Sequence, residues 1–292
     1  MFKPTGETKD VTLRGVDKKL YEQFVESARK FGLSTGDAFN NLVFFMIKQP
    51  WLMHGPPLPR KERSRSPPPE VIKGLESLVV SKKDLTEAGE DAVFLFKDIG
   101  QLIFAKDVDG PTLIKHVKLI SRSEVEFRGD VPKIIRLGLV RKKCEYTSPT
   151  EEEALKDITI RNVSSSLYDE FLAKAKSEGK TTGEFFSMIL ANSLPFIEIR
   201  EAVGPMRKKK ILLIVFEDRV QISTEDLEAL GDRGVVFYGI NELDFAKDLE
   251  QELFLNAIIK IIKCEKVILP KTVPRLIVLS RTIDCKNLEL HN

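Results

Sequence analysis

The segment "DVTLRGVDKKLYEQF", residues 10–24, has a near copy in "DITIRNVSSSLYDEF", residues 157–171. Each copy has two apolar positions that alternate with polar ones, followed by the start of an amphipathic pattern. The copies are 147 positions apart, as the pair Tyr21 and Tyr168 shows. A segment repeated at half the chain length indicates an internal duplication, which has to be tested before any fold is assigned.

The duplication extends through the rest of the chain. "KDLTEAG" at 83–89 matches "EDLEALG" at 225–231, and "VPKII" at 131–135 matches "VPRLI" at 273–277, both 142 positions apart. A collinear series of matches with nearly constant separation is far stronger evidence than one shared peptide. The sequence therefore predicts two tandem copies of one unit, each a small motif followed by a larger module.

Composition is typical of a globular protein without a dominant electrostatic field. The 292 residues are 42% hydrophobic and 31% charged, with a net charge of +2. That length accommodates two ordinary domains or several small ones. The high charge content would suit a heat-tolerant source. Because the chain is nearly neutral, any basic surface for nucleic acid has to be local.

Several classes of protein are disfavoured. The start, "MFKPTGETKD", lacks the apolar core of a secretory signal, and apolar runs such as "ILLIVF" are too short to cross a bilayer. Cys144, Cys264 and Cys285 lack metal-ligand spacing and are too few for a disulfide framework, which favours reduced thiols. We expect a cytoplasmic protein with no membrane partner, associated with the nucleoid if it binds DNA.

Polar and proline-rich joints suggest the domain boundaries. "GPPLPRKERSRSPPPE", residues 55–70, cannot form a packed element and is predicted to be a linker. The expected order is a first motif at 1–53, a basic linker at 54–70, a first α/β module at 71–148, a second motif at 149–204 and a second α/β module at 205–292.

The motif is predicted to be one strand followed by two helices. Alternation of Val11 and Leu13 with polar neighbours, and of Ile158 and Ile160 likewise, indicates a short strand with one apolar face. The predicted helix N-caps and the glycines that end the first helices are Asp17, Ser164, Ser34, Thr181, Gly32 and Gly179. Pro50 and Pro195 are expected just beyond the ends of the second helices.

One motif cannot bury its apolar face, and a lone strand leaves its backbone unpaired. Two copies solve both problems if the strands pair antiparallel and the four helices interlock. The expected fold class is therefore α+β: an internally duplicated chain whose two motifs form an intramolecular pseudodimer, each followed by a small α/β module.

The two motifs resemble ribbon-helix-helix domains of the MetJ/Arc/CopG superfamily. The resemblance rests on residues 11–43 and 158–190, "VTLRGVDKKLYEQFVESARKFGLSTGDAFNNLV" and "ITIRNVSSSLYDEFLAKAKSEGKTTGEFFSMIL". It covers about a third of the chain. It implies a two-stranded ribbon in the DNA major groove, with polar strand residues on base edges. In this chain those residues are Thr12, Arg14, Thr159 and Arg161.

Side-chain chemistry fits that assignment. Arginine can chelate guanine, and threonine can bond a base or contact a thymine methyl. The second helices would point their N-terminal amides at phosphates through Thr35, Gly36, Thr182 and Gly183, where glycine allows close backbone approach. The basic joints add Lys61, Arg63, Lys208 and Lys209 as phosphate contacts.

Two features depart from the family pattern. Asp10 and Asp157 are expected on the same strand face as the threonines, where carboxylates would repel phosphate. Gly15 and Asn162 replace an apolar residue at the strand end, which predicts a shortened ribbon. The charge is also uneven: residues 1–66 carry 12 Lys and Arg against 7 Asp and Glu, whereas residues 151–210 carry 10 against 10. The first half is expected to bind DNA more strongly.

For the modules, hydrophobic periodicity alone indicates the strands and helices. In the second copy, "KKILLIVFE" and "GVVFYGI" are predicted strands and "STEDLEAL" a short capped helix. "DFAKDLEQELFLNAIIKIIKC", residues 244–264, is predicted to be one long amphipathic helix, and "KVILP" and "RLIVLSRTI" are predicted strands. The first copy has the same order, interrupted by Gly110 and Pro111.

Nothing in the sequence indicates catalysis. It has no phosphate-binding glycine loop, no metal-ligand spacing and no nucleophile elbow, and His54, His116 and His291 are isolated. We expect no cofactor and no enzymatic activity. The leading hypothesis is a sequence-specific double-stranded DNA-binding protein, a transcriptional regulator. The alternative is an interaction protein, antitoxin-like in its partner binding, whose motifs serve only for pairing. A third reading is an enzyme whose site lies in the modules. A homodimer through the modules and an effector of unknown identity stay open.

Overall fold

The computed structural model describes residues 7–48, 69–141, 149, 154–203 and 210–291. Contacts divide the chain into two compact units: unit 1 from Met1–Arg63 and Cys144–Glu201, and unit 2 from Ser64–Lys143 and Ala202–Asn292. Both copies of the motif thus belong to one unit, and both modules belong to the other. The expected mixture of helices and strands is confirmed, with several parallel sheets in unit 2.

The strands of the described ranges are β1 (Thr8–Asp17), β2 (Glu70–Lys73), β3 (Ser77–Val80), β4 (Phe94–Lys97), β5 (Gln101–Phe104), β6 (Val117–Ser121), β7 (Glu124–Phe127), β8 (Val140–Arg141), β9 (Leu155–Ser164), β10 (Ile211–Val215), β11 (Arg219–Ile222), β12 (Gly234–Tyr238), β13 (Glu242–Phe245), β14 (Ile258–Ile262), β15 (Lys266–Leu269), β16 (Thr282–Ile283) and β17 (Asn287–Leu290). The helices are α1 (Lys18–Lys30), α2 (Thr35–Lys48), α3 (Lys82–Glu87), α4 (Gly110–His116), α5 (Lys133–Leu139), α6 (Ser165–Ser177), α7 (Thr182–Val203), α8 (Thr224–Glu228), α9 (Gln251–Ala257) and α10 (Arg275–Arg281).

Unit 1 is built from two strand-helix-helix segments. Strand β1 pairs antiparallel with β9, and Thr12 lies opposite Thr159. Their apolar neighbours turn to one face, where Leu13 and Ile160 are fully buried. The period of two in the sequence therefore reports a sheet with one face in the core and the other exposed.

The core of unit 1 joins equivalent side chains of the two copies. Phe39 and Phe186, which are 147 positions apart, have ring centroids 5.2 Å from each other. Phe24 meets Phe186 edge-on at 5.6 Å, and Phe171 meets Phe39 in the same way at 5.5 Å. Each copy inserts its second-helix phenylalanine between the aromatic rings of the other copy. Neither copy therefore has a complete core alone.

The helix ends largely follow the sequence. Asp17 caps α1 by accepting from the amide of Leu20 at 3.0 Å, and Gly32 and Gly179 end the first helices with φ of +66°. Ser164 occupies the N-cap position of α6, but its side chain makes no capping bond. The expected end at Pro195 is wrong, because α7 continues to Val203. Leu194 and Ile197 stay packed on the unit core on either side of that proline, which offsets the lost backbone bond.

Unit 2 is a stack of strand-strand-helix coils. Within each module, the first strands of successive coils pair in parallel in one sheet, and the second strands pair in a neighbouring sheet. Paired residues are 20 to 24 positions apart, as in Glu70 with Phe94 and Ile120 with Val140. A short helix follows the second strand of the first three coils in each module. This is solenoid architecture, in which each coil buries its apolar side on its neighbours. The sequence patterns did not predict this architecture.

A left-handed residue turns each coil between its two strands. Those in module 1 are Gly74, Asp98 and Arg122, and those in module 2 are Phe216, Gly239, Lys263 and Asp284, all with φ between +51° and +71°. Their amides bond to the adjacent coil where it is paired, as from Asp98 to the carbonyl of Ser121 at 3.1 Å. The corner needs positive φ, not one residue type.

Two secondary-structure predictions for the modules are wrong. Residues 244–264 do not form one helix: they hold the end of β13, then α9 and β14. "RLIVLSRTI" is mainly helix α10 instead of a strand. Strand β14, "IIKII", follows α9 without a break, so its apolar residues fit a buried strand and a helix face equally well.

The two modules share one hydrophobic core. Helix α5 at the end of module 1 packs on β10 and α8 at the start of module 2. A Cβ atom on Gly138 would overlap the side chain of Leu212, so glycine sets how closely these elements approach. The amide of Ile134 donates to buried Asp226 Oδ1 at 3.2 Å. We call these contacts the module junction. It joins the modules into one continuous stack of coils.

Candidate nucleic-acid interface

The exposed face of the β1–β9 sheet carries the four residues that the sequence assigned to base contact. Thr12, Arg14, Thr159 and Arg161 are all exposed. The hydroxyls of Thr12 and Thr159 lie 3.3 Å apart at the centre of the face. The structure thus brings all four residues together on one surface, with one arginine and one threonine from each copy.

The arginines are free to extend into solvent. The Arg161 side chain is 83% exposed, and its Nε lies 4.0 Å from Asp10 Oδ2. An ion pair that long and that exposed contributes little to stability, so breaking it for another partner costs little. The guanidinium keeps the planar donor array that can chelate a base edge or a phosphate.

Asp10 and Asp157 have a structural role that the sequence did not reveal. Asp157 Oδ1 accepts from the amide of Gly15 at 3.0 Å, and Asp10 Oδ1 accepts from the amide of Asn162 at 3.3 Å. Each carboxylate therefore holds a backbone amide of the opposite strand. They remain exposed, so they still place negative charge on this face.

Gly15 and Asn162 do not shorten the strands, which corrects that expectation. Both have positive φ, of 68° and 59°, where the register between the strands shifts. These are bulges, which add a residue to one strand and sharpen its twist. β1 and β9 continue past them to Asp17 and Ser164. Glycine and asparagine suit the left-handed conformation better than an apolar residue would.

The N-termini of α2 and α7 lie against the opposite strand. A Cβ atom on Gly36 would overlap the carbonyl oxygen of Arg161, and one on Gly183 would overlap that of Arg14. Both glycines are buried, whereas Thr35 and Thr182 are half-buried. These glycines allow a close approach of helix to strand within the protein, and contact of the helix N-termini with a phosphate stays a prediction. The space beside these glycines is filled by backbone.

Side chains at the helix starts satisfy some of the free amides. Ser34 Oγ accepts from the amide of Asp37 at 3.1 Å, and Thr181 Oγ1 accepts from that of Glu184 at 3.2 Å. Glu184 in turn accepts from the amide and hydroxyl of Thr181, and these bonds lower the pKa of its carboxyl. The predicted capping spacing is confirmed in both copies.

Two polar residues in the second helices, Asn40 and Ser187, hold the strand ends. Asn40 Oδ1 accepts from the buried amide of Ser164 at 2.9 Å, and Ser187 Oγ accepts from the amide of Asp17 at 2.9 Å. They are 147 positions apart and fully buried. Sequence reasoning missed them, although a polar residue at equivalent points of both apolar helix faces was a usable signal.

The remaining phosphate-contact residues, Lys61, Arg63, Lys208 and Lys209, lie outside the described residues. Without those joints the motif unit is neutral. Residues 7–48 carry seven Lys and Arg against six Asp and Glu, and residues 154–203 carry six against seven. The described residues of unit 1 therefore carry no net charge.

Ionisable groups elsewhere in the described ranges do not assemble into a metal site, since no three His, Cys, Asp or Glu residues cluster suitably there. His116 is a buried core residue whose Nδ1 lies 2.9 Å from the carbonyl of Ala92. Cys264 and Cys285 are free thiols in neighbouring coils. Within the same ranges, no helix combines the length and apolar character needed to cross a bilayer.

The chain matches no family model, no curated protein and no solved structure.

Proposed function

We propose that unit 1 is a ribbon-helix-helix domain formed within one chain, and that it binds double-stranded DNA sequence-specifically as part of a transcriptional regulator. The observation that carries this proposal is the exposed face with Thr12, Arg14, Thr159 and Arg161 on two antiparallel strands. A two-stranded ribbon fits the major groove, where arginine and threonine distinguish base pairs.

The two halves differ in sequence, so they need not read identical half-sites. Arg14 is followed by Gly15, whereas Arg161 is followed by Asn162 and lies near Asp10. The preferred DNA is therefore an imperfect palindrome or an asymmetric site. The basic joints supply the sequence-independent attraction, and that attraction weakens as salt rises.

Selection from a random double-stranded DNA pool tests the proposal, followed by titration of the selected site and of random DNA at several salt concentrations. Arg14→Ala and Arg161→Ala should each cost about 1–3 kcal/mol on the selected site and little on random DNA. Lys61→Ala and Arg63→Ala should weaken both alike and flatten the salt dependence. Lys176→Ala, an exposed change on α6, is the matched control and should leave both unchanged.

One observation favours a second function. The described part of unit 1 is neutral and carries Asp10 and Asp157 on the candidate face, which suits a protein partner better than a polyanion. Lack of DNA binding at low salt by the folded wild-type chain would select this interaction protein over the regulator. Wild-type-like affinity of both arginine variants for the selected site would show that this face does not read DNA.

A further inference from the structure

The two ends of the coil stack in unit 2 expose apolar side chains. At the first coil, formed by β2 and β3, these are Val71, Leu75 and Val79. At the other end, on α10 and β17, they are Leu276, Leu279, Leu288 and Leu290. Solenoid proteins need polar caps at their ends, or the terminal coils stay adhesive. Both ends of this stack expose apolar side chains in place of a polar cap.

The module junction shows what covers such an end, because the chain makes one such contact internally. The last helix of module 1 lies on the first coil of module 2 and contributes to one core. The modules are copies of each other. The junction is therefore an end-to-start contact between two copies of the same module.

Equivalent residues at the free ends match the residues of the module junction. Leu276 of α10 corresponds to Ile134 of α5 at the separation of 142, yet Leu276 is 80% exposed and Ile134 is 0% exposed. Asp84 of α3 corresponds to buried Asp226 of α8, yet Asp84 is exposed. Each free end thus exposes a residue whose counterpart at the module junction is buried.

The acceptor geometry at the free start of the stack is already formed. In the module junction, Asp226 Oδ2 accepts from the amide and hydroxyl of Ser223, and its Oδ1 receives the amide of Ile134. In module 1, Asp84 Oδ2 accepts from the amide and hydroxyl of Ser81 in the same capping box. Its other oxygen therefore corresponds to the oxygen that receives the amide of Ile134 at the junction.

We propose that a second copy of this chain docks head-to-tail on unit 2, with α10 of one copy on β2, β3 and α3 of the next. The contact repeats the module junction between chains. Leu276 occupies the position of Ile134, and its amide donates to Asp84 of the neighbouring copy. The surface is heterologous, so each added copy presents a new free end to the next copy.

The contact between chains is weaker than the module junction within the chain. Glu70 stands where Leu212 packs, and Ser280 stands where Gly138 allows the closest approach. A carboxylate and an added Cβ at that point prevent the tightest packing. We therefore expect reversible association that depends on protein concentration.

Sedimentation velocity of the full chain over a wide concentration range tests the proposal. Wild type should grow from monomer through dimer to larger species without stopping at one size. Leu276→Asp blocks one end, and Val71→Asp, in the strand that corresponds to β10, blocks the other; both positions are exposed, so folding should persist. Each variant alone should associate at least about tenfold more weakly than wild type. An equimolar mixture should form a dimer and nothing larger, because one intact contact remains.

The mixing experiment separates this arrangement from the others. A symmetric dimer through two α10 ends would leave Val71→Asp associating normally and would yield no mixed dimer, which overturns the head-to-tail contact. A wild-type chain that stays monomeric at every concentration overturns it as well. Leu172→Asp, an equally apolar exposed position on α6, is the matched control and should associate like wild type. None of these readouts requires DNA, so the result is independent of the proposed function.

Discussion

Gly183, in the first turn of α7, lies directly against the carbonyl oxygen of Arg14 on the strand of the other copy. The equivalent pair, Gly36 and Arg161, repeats the contact on the other side of the unit. Each second helix is thereby positioned by the same strand residue whose side chain points to solvent. The candidate interface and the pairing of the two copies therefore depend on one set of contacts.

Gly183→Ala should destabilise unit 1 by about 1–3 kcal/mol, because the added methyl overlaps backbone that cannot rotate away. Chemical denaturation followed by circular dichroism measures the change. Thr182→Ala, one residue earlier and half-buried, is the matched control and should cost less. Equal stability of Gly183→Ala and wild type would mean that α7 does not sit this close to β1.

The sequence was most informative for unit 1, where each local signal has one structural meaning. Alternation in residues 11–14 can only give a strand with one buried face, and Gly32 fits only a left-handed helix end. The bulge at Asn162 was missed, because a single asparagine does not distinguish a strand end from an extra strand residue. The helix end predicted at Pro195 is wrong because the packing of neighbouring residues on the core outweighs the helix-breaking effect of the proline.

The coils of unit 2 could not be predicted because their repeat is encoded in conformation and burial, not in residue type. Gly74, Asp98 and Arg122 occupy equivalent corners and share only a positive φ. The spacing also varies, being 24 residues between Glu70 and Phe94 but 20 between Ile120 and Val140. A repeat whose length varies and whose residue types are not fixed cannot be found by looking for recurring sequence motifs.

Asn40→Ala should destabilise unit 1 by about 1–3 kcal/mol, because it leaves the buried amide of Ser164 and the carbonyl of Asn162 without a partner. Ser187→Ala should cost less, since Ser187 supports only the amide of Asp17. Thermal melting of both variants measures the order.

Asn40→Ser provides the control, because serine already performs this task at the equivalent position of the other copy. It should recover part of the stability that alanine loses. If Asn40→Ser is as unstable as Asn40→Ala, the hydrogen bond is not the cause of the loss and the smaller side-chain volume is.

The stability of α4 should depend on pH through Asp109. Its bonds with Lys82 and Thr112 lower the pKa of the Asp109 carboxyl to about 2, below the unfolded value of about 3.9. A lowered pKa in the folded state adds stability above the unfolded pKa, and that stability is lost as pH falls toward 2. Asp109→Ala should therefore cost about 1 kcal/mol at neutral pH, as a lost N-cap, and progressively less in acid.

Urea denaturation of wild type and Asp109→Ala at several pH values measures that difference. Asp109→Asn separates the N-cap hydrogen bond from the ion pair with Lys82. Asparagine keeps an oxygen for the amide of Thr112 but loses the charge that faces Lys82. This pair is exposed, so the asparagine variant should lose little. A wild-type advantage that stays constant down to pH 2 would contradict the lowered pKa.

Asp10→Asn combined with Asp157→Asn should strengthen DNA binding, if unit 1 binds DNA through this face. An asparagine oxygen can accept from the amides of Asn162 and Gly15 as the carboxylates do, so the strands should keep their bulges. The double change removes two negative charges beside the arginines, which should add roughly 0.5–1 kcal/mol per charge at low salt and less as salt rises.

Glu90→Gln with Glu252→Gln, both exposed in unit 2, changes the net charge equally and is the control. Titration of random DNA at low salt compares the two double variants. An equal gain in both would mean that net charge alone acts, and a loss in the Asp10 and Asp157 variant would place DNA elsewhere on the protein.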